Sequence, residues 1–449
     1  MLSNVAKHSV LIVTDNLHEA GHVANALDAQ GYIISYSEFD GHTLSPIPDV
    51  SPEAILFVFT DYIEEAPNLV AQLKSQFAPS TPTIIGALMR DGKIDLSIFD
   101  SVIFPPAHII QIATRVSSLI RLGQMEREIK RRILTLKHDF NIDYNLSKAN
   151  LNQPFRILFI GKASPEFMII INALQKKNVE VVAAFTSFSA FDYLHESDFD
   201  AVVMNALEQS EPALTISETM RRNAKLYHVP SLFLVKEETF RDHELAYEKG
   251  ARDIISTEAD TKEISGRILE LANYHRIHSQ LKAEFDIVDA KCIDEDTQVF
   301  NEAFLRAHID RTADELASNN LPLTLLAILA QPNSRSQVPA DKISYAMGQL
   351  GQMLKSLVRM QDVTARLSED IFIIAFPEQD MSSVTSVLDR IKGIVDCAAF
   401  DSGNHSDAPF TISLKTSISQ HMEHESGNDL IDKALIDLTG QGAKQLKAS

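Results

Sequence analysis

The stretch Ala54-Ile-Leu-Phe-Val-Phe59 is an unbroken apolar run with the length of one β-strand. Apolar side chains on both faces of a strand are typical of a parallel sheet that helices cover on both sides. Four similar short runs surround it, at residues 10–13, 33–34, 83–85 and 102–104. Stretches with helical spacing lie between them, for example at residues 18–30 and 68–77. This pattern predicts a five-stranded α/β sheet.

The same pattern occurs a second time further along the chain. Five more strand-like runs lie at residues 156–160, 179–183, 200–204, 230–235 and 253–255. A unit that occurs twice, about 150 residues apart, indicates a duplicated domain and not a solenoid. A charged run at residues 126–132 indicates a helical extension between the two copies. We therefore divide the chain into two α/β modules at 1–123 and 154–276, a helical and loop linker at 124–153, a helical connector at 277–290, and a third domain at 291–449.

Charge and composition restrict the partners that we expect. The 449 residues include 41 Lys and Arg against 61 Asp and Glu, which gives a net charge of −20. Such a protein repels nucleic-acid phosphates, so we expect no nucleic-acid partner, whereas a local group of arginines can still bind a small anion. No apolar run approaches the roughly 20 residues of a membrane helix. The sequence therefore predicts a cytoplasmic protein without a membrane span.

A second informative stretch is Arg359-Met-Gln-Asp362-Val-Thr-Ala-Arg366-Leu-Ser-Glu-Asp-Ile-Phe372. It resembles the segment R-x-x-D-x-x-x-R-x-G-G-D-E-F of GGDEF domains, the domains of diguanylate cyclases. By itself, the Arg359 and Asp362 spacing is also that of an ordinary pair one helical turn apart, and it occurs again at Arg311 and Asp314. The distance from Arg359 to the turn that follows, with Arg366 in register, favours the resemblance.

The resemblance extends well beyond this stretch. Asp294, Thr297 and Asn301 match the family's entry motif D-x-L-T-G-L-x-N-R, and Ala443-Lys444 matches its closing pair. The whole chain resembles the PopA/PleD-like receiver–receiver–GGDEF proteins. This implies two tandem receiver-like domains, each a flavodoxin-like fold with a five-stranded parallel sheet, followed by a GGDEF-like α/β domain of the cyclase type.

The resemblance also indicates that the active-site turn is degenerate. The family's G-G-D-E-F turn is occupied here by Ser368, Glu369, Asp370, Ile371 and Phe372. Ala327 stands where the family has a metal-binding aspartate. One remaining carboxylate does not hold two Mg²⁺ ions, and Glu369 adds bulk and negative charge where GTP must lie. We therefore expect no enzyme, no catalytic residue, no bound metal and no required cofactor.

The first half of the stretch keeps the family's signature for binding cyclic di-GMP. The resemblance assigns this ligand to Arg359, Asp362 and Arg390. An arginine fork suits phosphate oxygens or guanine O6 and N7, and a carboxylate accepts from guanine N–H groups. In the family the ligand binds as a stacked pair of molecules that bridges two surfaces. The ligand is therefore expected to act as a clamp between domains.

The two modules resemble receiver domains without their phosphorylation chemistry. The phosphoacceptor positions fall at Val58 in the first module, with Asp61 a few residues later, and at Asn205 in the second. Aspartyl phosphorylation requires carboxylates around Mg²⁺. Phosphorylation is therefore not expected at Asn205, and Asp61 remains the one acid near the right place. What remains are surfaces for dimerisation or for docking partners.

Together, these observations predict a catalytically inactive cyclic di-GMP receptor and scaffold of bacterial two-component-type signalling. The resemblance implies a role in cell-cycle control of regulated proteolysis, with recruitment to a cell pole. The expected partners are cyclic di-GMP, other signalling or proteolysis-adaptor proteins, and a second copy in a homodimer. Two alternatives remain open: an interaction scaffold that has lost the ligand, and an enzyme with residual diguanylate cyclase activity.

Overall fold

The computed structural model describes residues 9–48, 51–78, 82–88, 96–105, 107–146, 153–319, 321–333, 339–401, 409–422 and 424–440. Ala443-Lys444 lies outside these residues. The described residues form two five-stranded parallel sheets and one four-stranded antiparallel sheet. The predicted fold class, two receiver-like α/β modules followed by a GGDEF-type α/β domain, is confirmed.

Module 1 is built on the sheet that the first apolar run predicts. Its strands are β1 (Ser9–Thr14), β2 (Ile33–Glu38), β3 (Ala54–Phe59), β4 (Thr83–Leu88) and β5 (Ser101–Ile103), in the order β2-β1-β3-β4-β5. Helix α1 (Leu17–Asp28) and the start of α3 (Ile109–Asp139) cover one face, and α2 (Ala66–Gln76) covers the other. All six residues of β3 are buried because helices cover both faces of this central strand.

Module 2 repeats this architecture. Its strands are β6 (Arg156–Ile160), β7 (Glu180–Ala184), β8 (Ala201–Asn205), β9 (Ser231–Val235) and β10 (Ala251–Ser256). Its helices are α4 (Pro165–Gln175), α5 (Ser187–Glu196), α6 (Glu211–Arg222), α7 (His243–Glu248) and α8 (Thr261–Asp289). The order β7-β6-β8-β9-β10 is that of module 1, with the first two strands exchanged relative to the chain. This is the order of flavodoxin-like sheets.

The third domain surrounds an antiparallel sheet. Its strands are β11 (Leu323–Pro332), β12 (Val363–Arg366), β13 (Ile371–Pro377) and β14 (Ile412–Gln420), in the order β12-β13-β11-β14. Helices α9 (Glu302–Ser318) and α12 (Gly427–Thr439) cover one face, and α10 (Ala340–Leu357) and α11 (Met381–Asp396) cover the other. Along the chain, the short strand β12 lies between the turn after α10 and the turn before β13.

Helices α3 and α8 join the modules to the third domain. Leu122, Met125, Ile129 and Leu136 lie on one stripe of α3, because residues three, four and seven positions apart share a helix face. This stripe is buried in the core of the third domain, together with Phe285 and its neighbours on α8. The predicted limits between residues 123 and 124 and between 276 and 277 fall inside these helices, and the division into segments stays a prediction.

The modules also contact each other directly. Gln111 on α3 donates to Asp253 Oδ1 on β10 at 2.7 Å, and both side chains are buried. Tyr274 Oη on α8 donates to the carbonyl oxygen of Ser118 on α3 at 3.1 Å. These contacts set module 2 beside α3 and bring one of its loops close to the third domain. Within the described residues, no helix has both the length and the apolar character that crossing a bilayer requires.

Candidate functional site

Arg359 and Asp362 lie in the tight turn between α10 and β12, not in a helix. Asp362 Oδ2 accepts a hydrogen bond from the backbone N–H of Arg359 at 2.8 Å, and Oδ1 accepts from Gln379 Nε2 at 2.9 Å. The Asp362 residue is 6% exposed. Burial raises its pKa to about 6, although the charge and backbone amide of Arg359 act in the opposite direction. The two signature residues therefore stabilise one turn, and the carboxylate is only partly occupied, since it has about four acceptor positions.

A cavity of about 440 Å³ opens beside this turn, between the third domain, α3, α8 and module 2. Arg359, Asp362 and Thr364 form part of its wall. The wall contains two further cationic residues, Arg121 and Lys355, and two further acidic residues, Asp286 and Asp289. Aromatic and imidazole rings make up much of the remaining wall, namely Tyr227, His228, His278, Phe285 and Phe300.

Several polar groups in this wall have no partner among the residues that the structure describes. The guanidinium groups of Arg359 and Arg121 make no side-chain hydrogen bond or ion pair with any other residue that the structure describes. Burial lowers the pKa of the Arg359 guanidinium, Asp362 opposes this shift, and Arg121 adds to it. Thr364 Oγ1 is buried and has no hydrogen-bond partner among the described residues. Unpaired guanidinium and hydroxyl groups at a cavity are positioned to bind a polar or anionic ligand.

The side chain of Arg132 on α3 stabilises the turn that carries Arg359. Its guanidinium is fully buried and donates to the carbonyl oxygens of Met360 and Asp362 at 3.0 and 3.1 Å. It also donates to Glu128 Oε1 at 2.8 Å and to Asp289 Oδ1 at 2.7 Å. One side chain therefore connects α3, α8 and the turn that carries Arg359.

Arg390 lies on α11 beside the same turn. Its side chain is exposed, and Nη2 donates to the carbonyl oxygen of Leu357 at 2.6 Å. Leu357 is the last residue of α10, two residues before Arg359. Arg390 does not line the cavity. Its part in ligand binding stays a prediction.

The turn that the sequence predicts to be degenerate, residues 368–372, lines a second, larger cavity of about 680 Å³. Five carboxylates face it, namely Asp294, Asp296, Glu302, Glu369 and Asp370. The one cationic residue in this wall is Arg366, whose Nη1 donates to Asp294 Oδ1 at 3.2 Å and to Asp296 Oδ2 at 3.3 Å. Arg366 also donates to the carbonyl oxygens of Ser368 and Glu369. The Arg366 guanidinium is therefore already paired, and acidic residues outnumber cationic ones in the described part of this wall.

Three residues that the resemblance places at the family's catalytic positions belong to the hydrophobic core. Ala327 on β11 and Phe372 on β13 are fully buried, and Ile371 at the start of β13 is buried. Ala327 and Ile373 are paired across the two strands, so this position lies inside the sheet. Neither Ala327 nor Ile371 can bind Mg²⁺. Within the described residues, no group of three or more His, Cys, Asp or Glu is arranged to hold a metal ion. The residues present therefore do not fit the two-metal site of a cyclase.

The phosphoacceptor positions of the modules serve local structure. Val58 is buried in β3, and its carbonyl oxygen accepts from Thr14 Oγ1 at 2.8 Å. Asp61 is exposed in the loop after β3, and its backbone N–H donates to Asp15 Oδ2 at 2.7 Å. In module 2, Asn205 donates from Nδ2 to the carbonyl oxygen of Lys162 at 2.6 Å and accepts from the backbone N–H of Leu207 at 3.0 Å. These contacts fix the loops at the carboxyl ends of the strands.

Sequence reasoning did not find most of the first cavity's wall. Arg121, Tyr227, His228 and His278 belong to no motif, and they come from α3, from the segment before β9, and from α8. Thr364 lies inside the quoted stretch, two residues after Asp362. This closeness to Asp362 was the one feature of the sequence that could have indicated a place for Thr364 in the cavity wall.

Comparison with known proteins gives a family match in the third domain. Residues 343–446 match the family model for the diguanylate cyclase, GGDEF domain. The response regulator PleD of Caulobacter vibrioides is 22% identical over 261 residues, which cover 56% of this chain and 55% of PleD. The chain thus matches about half the length of this curated relative. Residues 343–446 of the third domain are thus similar to a GGDEF domain, and the match to PleD supports a receiver–GGDEF protein.

Solved structures show similar domains at low sequence identity. The GGDEF domain of FimX from Pseudomonas aeruginosa is 17% identical, with a TM-score of 0.30, and the match covers 34% of this chain and 94% of that one. The GGDEF domain of DgcB from Caulobacter crescentus, in complex with cyclic di-GMP, is 15% identical, with a TM-score of 0.30, and the match covers 33% and 88%.

Proposed function

We propose that this protein is a non-enzymatic receptor for cyclic di-GMP, which it binds in the cavity beside Arg359. The observation that carries this proposal is the Arg359 guanidinium, which has no hydrogen bond or ion pair with any other described residue. It lies at a cavity whose wall also contains Asp362 and Thr364, and the Thr364 hydroxyl likewise has no partner in the described part of the chain. The GGDEF match connects the chain with cyclic di-GMP signalling.

The chemistry of the ligand matches these groups. Arg359 can donate two parallel hydrogen bonds to a phosphate or to guanine O6 and N7. The Asp362 carboxylate keeps acceptor positions for the N1–H and N2–H groups of guanine, because Arg359 N–H and Gln379 use only two of them. The Thr364 hydroxyl can donate to a phosphate oxygen or accept from a base. The arrangement therefore suits a dianionic guanine nucleotide.

The second cavity does not suit GTP. Its wall carries five carboxylates against the single described cation Arg366, and an excess of negative charge disfavours binding of a triphosphate. Ala327 and Ile371 remove the ligands for Mg²⁺. We therefore propose that the protein makes no cyclic di-GMP.

A ligand-independent scaffold remains the second candidate. Module 2 exposes two large aromatic side chains at and next to the start of α5: Phe185 is 64% exposed and Phe188 is 79% exposed. Exposed aromatic side chains are typical of protein interfaces. Docking of signalling or proteolysis-adaptor proteins, homodimerisation and recruitment to a cell pole stay predictions from the resemblance.

Calorimetry with cyclic di-GMP tests the proposal. We expect a Kd on the order of micromolar or tighter, which corresponds to roughly −8 kcal/mol, and no detectable binding after Arg359→Ala. Arg311→Ala is a matched control, because Arg311 and Asp314 have the same spacing but lie on α9. Absence of heat with the wild-type protein well above micromolar ligand would favour the ligand-independent scaffold.

Incubation with GTP and Mg²⁺ tests the absence of catalysis. We expect no formation of cyclic di-GMP by chromatography, because the turn and β11 lack the metal ligands. Steady product formation would refute our interpretation of the second cavity and support residual cyclase activity.

A further inference from the structure

Two adjoining cavities lie between helix α3 and the edge of module 2 at which β9 and β10 begin. The larger cavity has a volume of about 200 Å³, and its wall includes Arg221, Arg252 and Thr114. The smaller cavity has a volume of about 50 Å³ and shares Arg252 and Thr114 with the larger one. Arg115 and Arg121 of α3 also line the smaller cavity. We call the larger one the intermodule cavity.

Positive charge is concentrated around these cavities. Among the described residues, neither wall contains an aspartate or a glutamate. Two carboxylates close to the walls are bound by other residues: Glu270 forms an ion pair with Arg115, and Asp253 forms one with Arg267. Neither of these carboxylates therefore balances the charge of Arg252.

Arg252 occupies an irregular position in strand β10. Ala251 is paired with Ser231 of β9, and Asp253 with the next residue, Leu232, so Arg252 is one extra residue between two pairs. An extra residue of this kind forms a β-bulge, which redirects a side chain and is frequent next to functional sites. Asp253 is buried, whereas Arg252 is half-buried and lines the cavity. The bulge thus lies where a charged side chain meets the cavity.

Three polar groups in these walls have no partner in the described part of the chain, namely the guanidinium groups of Arg252 and Arg121 and the hydroxyl of Thr114. Arg221 donates to the carbonyl oxygen of Glu248. A guanidinium carries five N–H donors and no acceptor, and its flat fork suits the oxygens of a phosphate. The groups without a partner are therefore those that an oxyanion requires.

The surroundings of Arg252 disfavour its positive charge. Burial lowers the pKa of the Arg252 guanidinium, and Tyr274 opposes this shift. The charges of three neighbouring arginines add to it: Arg121, Arg115 and Arg221. A bound anion relieves the repulsion between like charges in a partly buried site.

We propose that the intermodule cavity binds a small tetrahedral oxyanion of the size and charge of inorganic phosphate, held by Arg252 together with Thr114 and Arg221. A volume of about 200 Å³ accommodates several water molecules of roughly 30 Å³ each, but it is below the roughly 300–1,000 Å³ of sites for larger ligands. The cavity therefore suits one oxyanion and not a nucleotide. The inference is independent of cyclic di-GMP, because these three residues do not line the first cavity.

The anion would contact both sides of the interface between the modules. Thr114 lies on α3, whereas Arg221 and Arg252 belong to module 2. A ligand that binds across this interface stabilises the arrangement in which the two sides meet. Since α3 continues into the core of the third domain, the anion would fix module 2 to a helix that all three parts of the chain share.

Titration calorimetry of the full chain with inorganic phosphate, at constant ionic strength, tests the site. We expect one phosphate per chain with a Kd on the order of millimolar or tighter. Arg252→Gln should weaken binding at least about tenfold, because it removes charge-assisted hydrogen bonds. Arg222→Gln is the matched control and should leave the Kd unchanged, since Arg222 is exposed on α6, is bound by Glu218 and does not line the cavity. Arg359→Ala should also leave it unchanged, which separates this site from the first cavity.

Thermal melts with and without phosphate show whether Arg252 serves a ligand or the fold. Without phosphate, Arg252→Gln should be at least as stable as the wild type, because it removes a charge that has no partner among the described residues. With phosphate, the melting temperature of the wild type should rise, and that of Arg252→Gln should not.

Four results would overturn the inference. They are the absence of saturable binding by the wild type well above millimolar phosphate, equal affinity of Arg252→Gln and the wild type, loss of phosphate binding in Arg359→Ala, and a lower melting temperature of Arg252→Gln without phosphate. None of them touches the proposed receptor function, which the titration with cyclic di-GMP tests separately.

Discussion

The two cavities of the third domain lie at opposite ends of one short strand, β12, and differ in how their charges are paired. Just before β12, the Arg359 guanidinium has no partner among the described residues, and Asp289 in the same wall is bound by Arg132. At the end of β12, Arg366 is paired with Asp294 and Asp296, and the same wall contains three more carboxylates. In the proposed function the first cavity binds an anionic ligand and the second does not bind GTP. The two proposed properties would then be separated by the four residues of β12.

The largest effect is expected from removing the residue that holds the first turn in place. Arg132→Met removes the guanidinium partner of Asp289 Oδ1 and one of three partners of Glu128, and it frees two carbonyl oxygens of the turn. Loss of one partner of a buried ion pair costs about 3–5 kcal/mol of unfolding free energy. Urea denaturation measures this loss.

Arg127→Met is the control for Arg132→Met. Arg127 also lies on α3, but its side chain is 39% exposed, and its partner Glu378 keeps a second bond from Arg131. We expect a smaller loss of stability than for Arg132→Met. Equal losses in the two variants would mean that the turn does not depend on Arg132.

The burial of Arg132 is a feature that could not be predicted from the sequence. The charged run at residues 126–132 predicts a helical extension, and the helix is present as part of α3. A run of charges gives no indication that Glu128, Arg131 and Arg132 are buried. They are buried because partners arrive from distant parts of the chain, namely Asp289, Glu315, Glu378 and His308.

The parts that the sequence did predict are those with a local signal. The run at Ala54–Phe59 predicts a strand with two buried faces, because burial on both faces excludes polar residues. The distance from Arg359 to the turn at residues 368–372 favours a resemblance to GGDEF domains, and residues 343–446 match that family model. The contacts of His278 with His228 and of Tyr274 with Ser118 have no such signal, since these residues meet only after α3, α8 and the rest of module 2 have packed together.

Lowering the pH should weaken ligand binding in the first cavity and leave the structure of the cavity intact. Burial raises the pKa of Asp362 to about 6, and only the ionised carboxylate accepts both guanine N–H groups. Affinity for cyclic di-GMP is therefore expected to fall as the pH drops below about 6, approaching tenfold per pH unit. His228 and His278 titrate lower still and do not change charge in this range. Calorimetry between pH 5 and 8 measures the profile.

The same carboxyl group changes stability with the opposite sign. Its pKa is higher in the folded protein than the value of about 4 in an unfolded chain, so the native state binds the proton more tightly. The contribution of Asp362 to stability is therefore largest below about pH 4 and decreases as the pH rises through about 6. Asp362→Asn should remove both dependences. If the affinity of Asp362→Asn still falls with decreasing pH, a titratable group other than Asp362 causes the pH dependence.

The smallest expected effect concerns Thr364, and it distinguishes a ligand group from a structural one. Thr364→Val keeps the shape of the side chain and removes a buried hydroxyl that has no partner among the described residues. Removing an unsatisfied buried polar group is neutral or stabilising, by up to about 1 kcal/mol. If the hydroxyl binds the ligand, affinity falls by about fivefold, the equivalent of one hydrogen bond. Stability and affinity should thus move in opposite directions, as denaturation and calorimetry would show.

Thr324→Val is the matched control for Thr364→Val. Thr324 is also buried, but its hydroxyl donates to the carbonyl oxygen of Gln379 at 2.7 Å, and it lies outside the cavity wall. Its replacement should lower stability by about 1 kcal/mol, because a buried acceptor loses its donor. Since Gln379 also donates to Asp362, a small secondary effect on affinity is expected here. If Thr364→Val also lowers stability and leaves affinity unchanged, the hydroxyl serves the fold, and the cavity binds its ligand without it.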